Sequence, residues 1–174
     1  MLVTHHQTEA LSTGHRVAVM CHGALEQVDT PQQVFDHPSS RFVASFVGDP
    51  AFLPVSLHRG LPRCEIGILP TPAGRPPDGV DLEVVLRPHE VAIRRDPGSP
   101  ARVCAVEFQG AFVLHHVRLA SGRTISSWQP HDVRHPVGAP VAVTVAAGTT
   151  PTLLAGDAVV APPPQGVRGA SAPD

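Results

Sequence analysis

LEVVLRPHEVAI, from Leu82 to Ile93, holds two apolar runs, LEVVL (82–86) and VAI (91–93), parted by a turn containing proline. Runs of Val, Ile and Leu this short suit strands better than helices. Pro88 has no N–H to give to a ladder, so the stretch predicts strand, turn, strand. The same texture continues downstream in ARVCAVEF (101–108), FVLHHVRL (112–119), RTISSW (123–128) and PVAVTV (140–145). Short runs at close spacing, separated by Gly, Pro and Asp, predict a small antiparallel barrel or sandwich. Residues 59–80, including PTPAGRPPDG (70–79), predict a long loop, and APPPQGVRGASAPD (161–174) a disordered tail.

Before Asp49-Pro50 the texture is different. Leu2–Thr4 predicts the end of a strand, Gln7–Ser12 a short helix stopped at Gly14, and Arg16–Met20 a strand that turns at Gly23-Ala24 into Leu25–Val28. In DTPQQVFDHP, Thr30 can cap a helix, Pro31 suits its first position and Pro38 ends it. Ser39 or Ser40 can cap another helix, whose Phe42, Val43, Phe46 and Val47 share one face before Gly48.

Composition excludes several function classes. The 174 residues carry a net charge of −2 with His neutral, and all 13 cationic side chains are Arg. They are scattered, there is one Trp and no Tyr, and so no basic groove with stacking aromatics is expected and no nucleic acid partner. Cys21, Cys64 and Cys104 are isolated and odd in number, which speaks against a disulfide framework and for a reducing compartment. The pairs His5/His6, Cys21/His22 and His115/His116 lack metal-ligand spacing, because neighbours on a strand face opposite ways; no metal site is expected. No apolar run approaches the roughly 18 residues of a membrane-spanning helix.

The histidines of LVTHHQTEAL (2–11) stand where a strand hands over to a helix, the place where open α/β sheets bind ligands. A His there can donate to a phosphate oxygen or position a water. LVTHHQTEAL, then RVAVM, a Gly turn, LEQVDTPQQVFDHP and SRFVASFVG together resemble, in order and spacing over about 48 residues, the end of the ATPase subunit of an ABC importer. VVLRPHEVAI (84–93) and the β-rich remainder resemble that family's accessory TOBE domain, a barrel of the oligonucleotide/oligosaccharide-binding type.

The resemblance implies an α+β composite: the C-terminal part of a P-loop α/β ATPase domain (1–48) followed by an all-β, OB-like TOBE barrel (49–160) and a tail (161–174). It places His5 on the switch histidine that contacts the γ-phosphate of ATP, with His6 at a position usually held by Asp. Thr4, Gln7, Glu9 and Ala10 match their positions, whereas Gly14-His15 and Cys21-His22 depart from the pattern. It implies ATP with Mg as cofactor. It also implies permease subunits and a second ATPase subunit as partners, and a cytoplasmic location against the inner face of the membrane. The substrate it suggests is sulfate or thiosulfate.

Phosphoryl transfer also needs a phosphate cradle with Lys, magnesium-holding carboxylates and a signature loop. A chain without Lys contains no GxxxxGK[ST], and no LSGGQ-like stretch is present. The expectation is therefore a part of a longer ATPase, inactive alone. A different expectation is a non-catalytic regulatory, ligand-sensing or subunit-contact module of another importer, for iron(III), spermidine or molybdate. Within the barrel, Arg87 and His89 can offer donors to an oxyanion or to a partner's carboxylate; equally, Arg87 can make an internal salt bridge while Pro88 sets a turn. Trp128 and Phe108 are expected in the core.

Overall fold

The computed structural model describes residues 3–4, 6–70 and 79–161, and these are mostly β-sheet with three short helices. The chain begins with α1 (Gln7–Thr13) and a hairpin of β1 (Val17–Cys21) and β2 (Ala24–Asp29). The expected strand end at Leu2–Thr4 is not formed at Val3 or Thr4, and Leu2 lies outside the described residues. The hairpin's loop is His22-Gly23, one residue earlier than expected, with φ of 47° and 80°. Two positive φ values in a two-residue loop make a type I′ turn, which matches the twist of the strands and favours Asn or Gly first. His22 sits there against preference. Replacing His22 with Asn is expected to stabilise the protein by about 0.5 kcal/mol, measured as a higher urea midpoint.

Two helices follow as expected. In α2 (Pro31–Asp36) the Thr30 hydroxyl accepts from the Gln33 N–H at 3.3 Å, and Pro31 stands at the first position. In α3 (Arg41–Phe46) the Ser40 hydroxyl accepts from the Val43 N–H at 3.2 Å. Val17 and Val19 of β1 pack with Val34, Val43 and Val47, and Phe35, Phe42 and Phe46 close the edges of this cluster. The apolar faces of β1 and of the Phe42/Phe46 helix therefore cover each other. What stays open is Val3, Met20 and Leu25.

A six-stranded antiparallel sheet holds β3 (Ala51–His58), β4 (Leu61–Cys64), β5 (Gly67–Ile68), β6 (Leu82–Leu86), β12 (Leu153–Ala155) and β13 (Ala158–Ala161), in the order β13-β12-β6-β3-β4-β5. The loop expected over 59–80 is thus two strands in its first part, while 71–78 lies outside the described residues. A single 3-10 turn, Pro88–Glu90, leads into β7 (Val91–Arg95), which pairs with β11 (Val141–Val145). A three-stranded antiparallel sheet of β8 (Arg102–Gln109), β9 (Phe112–Arg118) and β10 (Thr124–Pro130) completes the set. The expected tail lies outside the described residues except for Ala161, the last residue of β13.

One apolar core, including Leu53, Leu86, Val103, Val117, Ile125 and Leu153, draws on all of these sheets. LEVVL lacks polar alternation because β6 is buried on both faces: Val84 and Leu86 enter that core, while Val85 points the other way and meets Ala44 of α3 and Leu154 of β12. That second face joins the helical segment to the sheets.

Candidate functional site

His5 lies outside the described residues. Its neighbours show the local setting: the Thr4 hydroxyl accepts from the His6 N–H at 3.0 Å, and α1 starts one residue after His6. The Gln7 side chain turns back, its Oε1 accepting from the Gly48 N–H at 3.4 Å, which ties α1 to the end of α3. Thr4, Glu9, Ala10 and Arg16 border an open cleft of about 510 Å³ between α1 and β1.

Arg87 is brought elsewhere, into the joint between the helical segment and the sheets. It is 2% exposed. Its Nη2 donates to the Phe35 carbonyl at 2.5 Å, its guanidinium lies over the Phe35 ring at 4.7 Å, and its Nη1 faces the Glu90 carboxylate at 3.9 Å. The same carboxylate accepts from the Arg87 N–H at 2.8 Å and closes a capping box around Pro88. Burial pushes the Arg87 pKa below its ordinary value, and the nearby charges of Glu90 and Asp36 oppose this. Nε is buried without a partner among the described residues. Of the two alternatives offered by the sequence, the internal contact is what the geometry presents: among the described residues Arg87 holds Phe35 and offers no open donor face.

Gly48 completes the joint. Its φ is +89°, and a Cβ there would stand 2.7 Å from the Phe35 ring and 3.4 Å from Arg87 Cδ. The sequence marks Gly48 only as the stop of a helix and does not single out Phe35 or Glu90. The signal for Glu90 is present, since Pro at the first position and Glu at the third mark a turn start; nothing local marks Phe35 or Gly48 as neighbours of Arg87.

His89 is exposed and stands at the centre of a row of rings. Its ring stacks on Phe35 at 5.7 Å and lies 6.3 Å from Trp128, which stacks on Phe112 at 5.8 Å. Trp128 and Phe108 are 42% and 65% exposed, so the expectation that they belong to the core is corrected. Trp128 shares the outer face of β10 with Thr124 and Ser126, while Ile125 and Ser127 point inward. Phe108 lies near the end of a long hairpin arm, where Arg134 reaches over its ring at 5.7 Å.

Comparison with known proteins adds the family context. The family model for the TOBE domain matches residues 84–150. The chain is 36% identical over 135 residues to a sulfate/thiosulfate import ATP-binding protein of Synechococcus elongatus, covering 76% of this chain and 36% of the relative. It is 40% identical over 129 residues to an sn-glycerol-3-phosphate import ATP-binding protein of Cereibacter sphaeroides, covering 69% and 35%. It is 30% identical over 149 residues to a spermidine/putrescine import ATP-binding protein of Pseudomonas fluorescens, covering 78% and 39%. The chain thus spans little more than a third of the length of these curated relatives. Residues 84–150 carry a TOBE domain, in a chain whose homologues are the ATP-binding subunits of ABC importers for several different solutes.

Proposed function

We propose that this chain is the switch-histidine and accessory-domain portion of the ATP-binding subunit that energises an ABC importer. The observation that carries the reading is its extent. Residues 84–150 account for 67 positions (150 − 84 + 1), whereas the alignment with the Synechococcus relative runs over 135. Likeness to ATP-binding subunits therefore reaches well beyond the TOBE domain. In this reading residues 1–48 belong to the P-loop ATPase domain, the barrel over 49–160 follows, and His5 faces the γ-phosphate of ATP bound with Mg. The partners are permease subunits and a second ATP-binding subunit, and the place is the cytoplasmic face of the membrane.

The residues present do not fit a complete ATP site. Without Lys the sequence holds no phosphate-loop motif. The helix after His5 has only 7 residues and carries Glu9 in its first turn, a negative charge unfavourable to phosphate there. No hydrolytic step is assigned to this chain, and purified protein with Mg-ATP is expected to release no phosphate above background. Measurable turnover would overturn that part.

For the cargo we carry sulfate or thiosulfate forward, supported by the likeness of VDLEVVLRPHEVAI (80–93) and by the name of one relative. Relatives named for sn-glycerol-3-phosphate and spermidine/putrescine support those solutes equally. Uptake of each labelled solute by cells lacking this chain separates them. Loss of sulfate uptake alone is the expected result, loss of another solute reassigns the cargo, and unchanged uptake of all sinks the importer reading.

A further inference from the structure

The adjacent histidines of β9 part company at once, as strand geometry requires. His116 points outward, where its Nε2 lies 3.1 Å from Glu107 and its Nδ1 3.0 Å from the Ser126 hydroxyl. His115 points inward between Val113 and Val117 and is 0% exposed. Its Nε2 accepts a hydrogen bond from the His135 backbone N–H at 3.1 Å. The two imidazole rings meet edge to face at 5.5 Å, and His115 Nδ1 and His135 Nε2 are both buried without a hydrogen-bond partner among the described residues.

We propose that His115 is a proton-operated latch: neutral, it holds the middle of the loop from His131 to Ala139 on the β8–β10 sheet, and protonated it lets that loop go. The reason is the role of Nε2. A nitrogen that accepts an N–H carries no proton of its own, so the neutral ring keeps its hydrogen on Nδ1. Protonation places a second hydrogen on Nε2, and two donors then face each other in a buried space. The bond is lost and a cation remains with no water to solvate it.

Among the described residues the surroundings offer the cation no counter-charge, and only the Val113 backbone favours the charged ring. The loop presents His135, while its Asp132 and Arg134 have exposed side chains. The adjoining strands place Val106 of β8 and the uncharged Ser127 of β10 opposite His115 in register. On β9 itself, His116 lies on the other face with Glu107, and the Glu90 carboxylate, before β7, is taken by Arg87. No hydrogen bond or ion pair joins His115 to a carboxylate among the described residues. Burial pushes the His115 pKa below its ordinary value, and His135 adds to this. A group whose folded pKa is depressed favours the closed state above its free pKa. That preference is lost as pH falls through about 6.5 and stops falling below the depressed folded value.

The loop is built for partial release. Its ends are tied by backbone bonds, His131 N–H to the Ala111 carbonyl at 3.1 Å and Gly138 N–H to the Val103 carbonyl at 2.8 Å. Between them the Val133 N–H donates to the Pro130 carbonyl at 2.9 Å and Arg134 covers Phe108, while the His135 backbone is held to the sheet through His115.

The test is amide hydrogen exchange of the whole chain from pH 8 to pH 5, corrected for intrinsic rates. Protection of the His135 amide is expected to fall by up to about tenfold per pH unit below about 6.5, while the Val117 amide keeps its protection. In His115→Gln the carboxamide oxygen can still accept but does not titrate, so the dependence should vanish. If that variant fails to fold, nitrogen NMR of the native ring decides: a proton on Nδ1 at neutral pH, with ring protonation and the His135 amide shift moving together. Flat protection of His135 down to pH 5, an unchanged fall in His115→Gln, or ring protonation that leaves the His135 amide unmoved would overturn the latch.

Discussion

Replacing Arg87 with Met is expected to cost about 3–5 kcal/mol of stability, read from the urea midpoint. Met fills much of the same volume but leaves the Glu90 carboxylate buried without its cation and the Phe35 carbonyl without its donor. The loss should concentrate in the joint: amides of α2 and α3 should lose exchange protection while those of β8–β10 keep theirs. Glu83→Gln provides the contrast. The Arg41–Glu83 pair also spans the joint, but its side chains are 37% and 29% exposed. Breaking a pair that water already screens is expected to cost no more than about 1 kcal/mol. Equal losses in the two variants would show that Arg87 is not the holding contact.

Leu154→Ala is the second large effect, about 3 kcal/mol. Leu154 is 0% exposed and packs with Ala44 and Val85, where strands β12 and β6 meet helix α3. Ala at 154 leaves a void that neither neighbour can fill, since Ala44 is too small and Val85 is fixed in the ladder of β6. Thermal unfolding should therefore begin earlier, with α3 losing protection first. A loss below about 1 kcal/mol would mean that the joint is not a packed interface.

Much of the fold was legible because local chemistry and final structure agree. Thr30 and Ser40 cap the helices that their positions announced, and six β-rich runs became β6 to β11. The strands that escaped reading did so for physical reasons. β3 and β4 contain Pro54 and Pro62, residues that normally argue against a strand. Pro54 is tolerated because β6 pairs with residues 51–55 of β3 while β4 pairs only with 56–58, so its missing N–H faces an unpaired side. Phe108 and Trp128 failed the core expectation because hydrophobicity does not say which face of a strand is covered.

The site was less legible. His5 lies outside the described residues, and Arg87 and His89, adjacent to the same turn, have opposite surroundings that sequence alone gives no means to divide. Arg87 is swallowed by a joint whose other members, Phe35 and Gly48, lie about 40–50 positions away. His89 remains in solvent among the rings of Phe35 and Trp128.

The bridge between Ser40 and Ala158, reinforced by the Arg41 N–H donating to the Asp157 carbonyl at 2.9 Å, has a consequence for the order of folding. It brings the cap of α3 against the far end of the described chain, across more than 110 intervening positions. The entropy of closing so long a loop is offset only once the sheets between its ends are formed. The helical segment should therefore dock late, and substitutions at Ser40 or Arg41 should quicken unfolding while leaving the folding rate nearly unchanged.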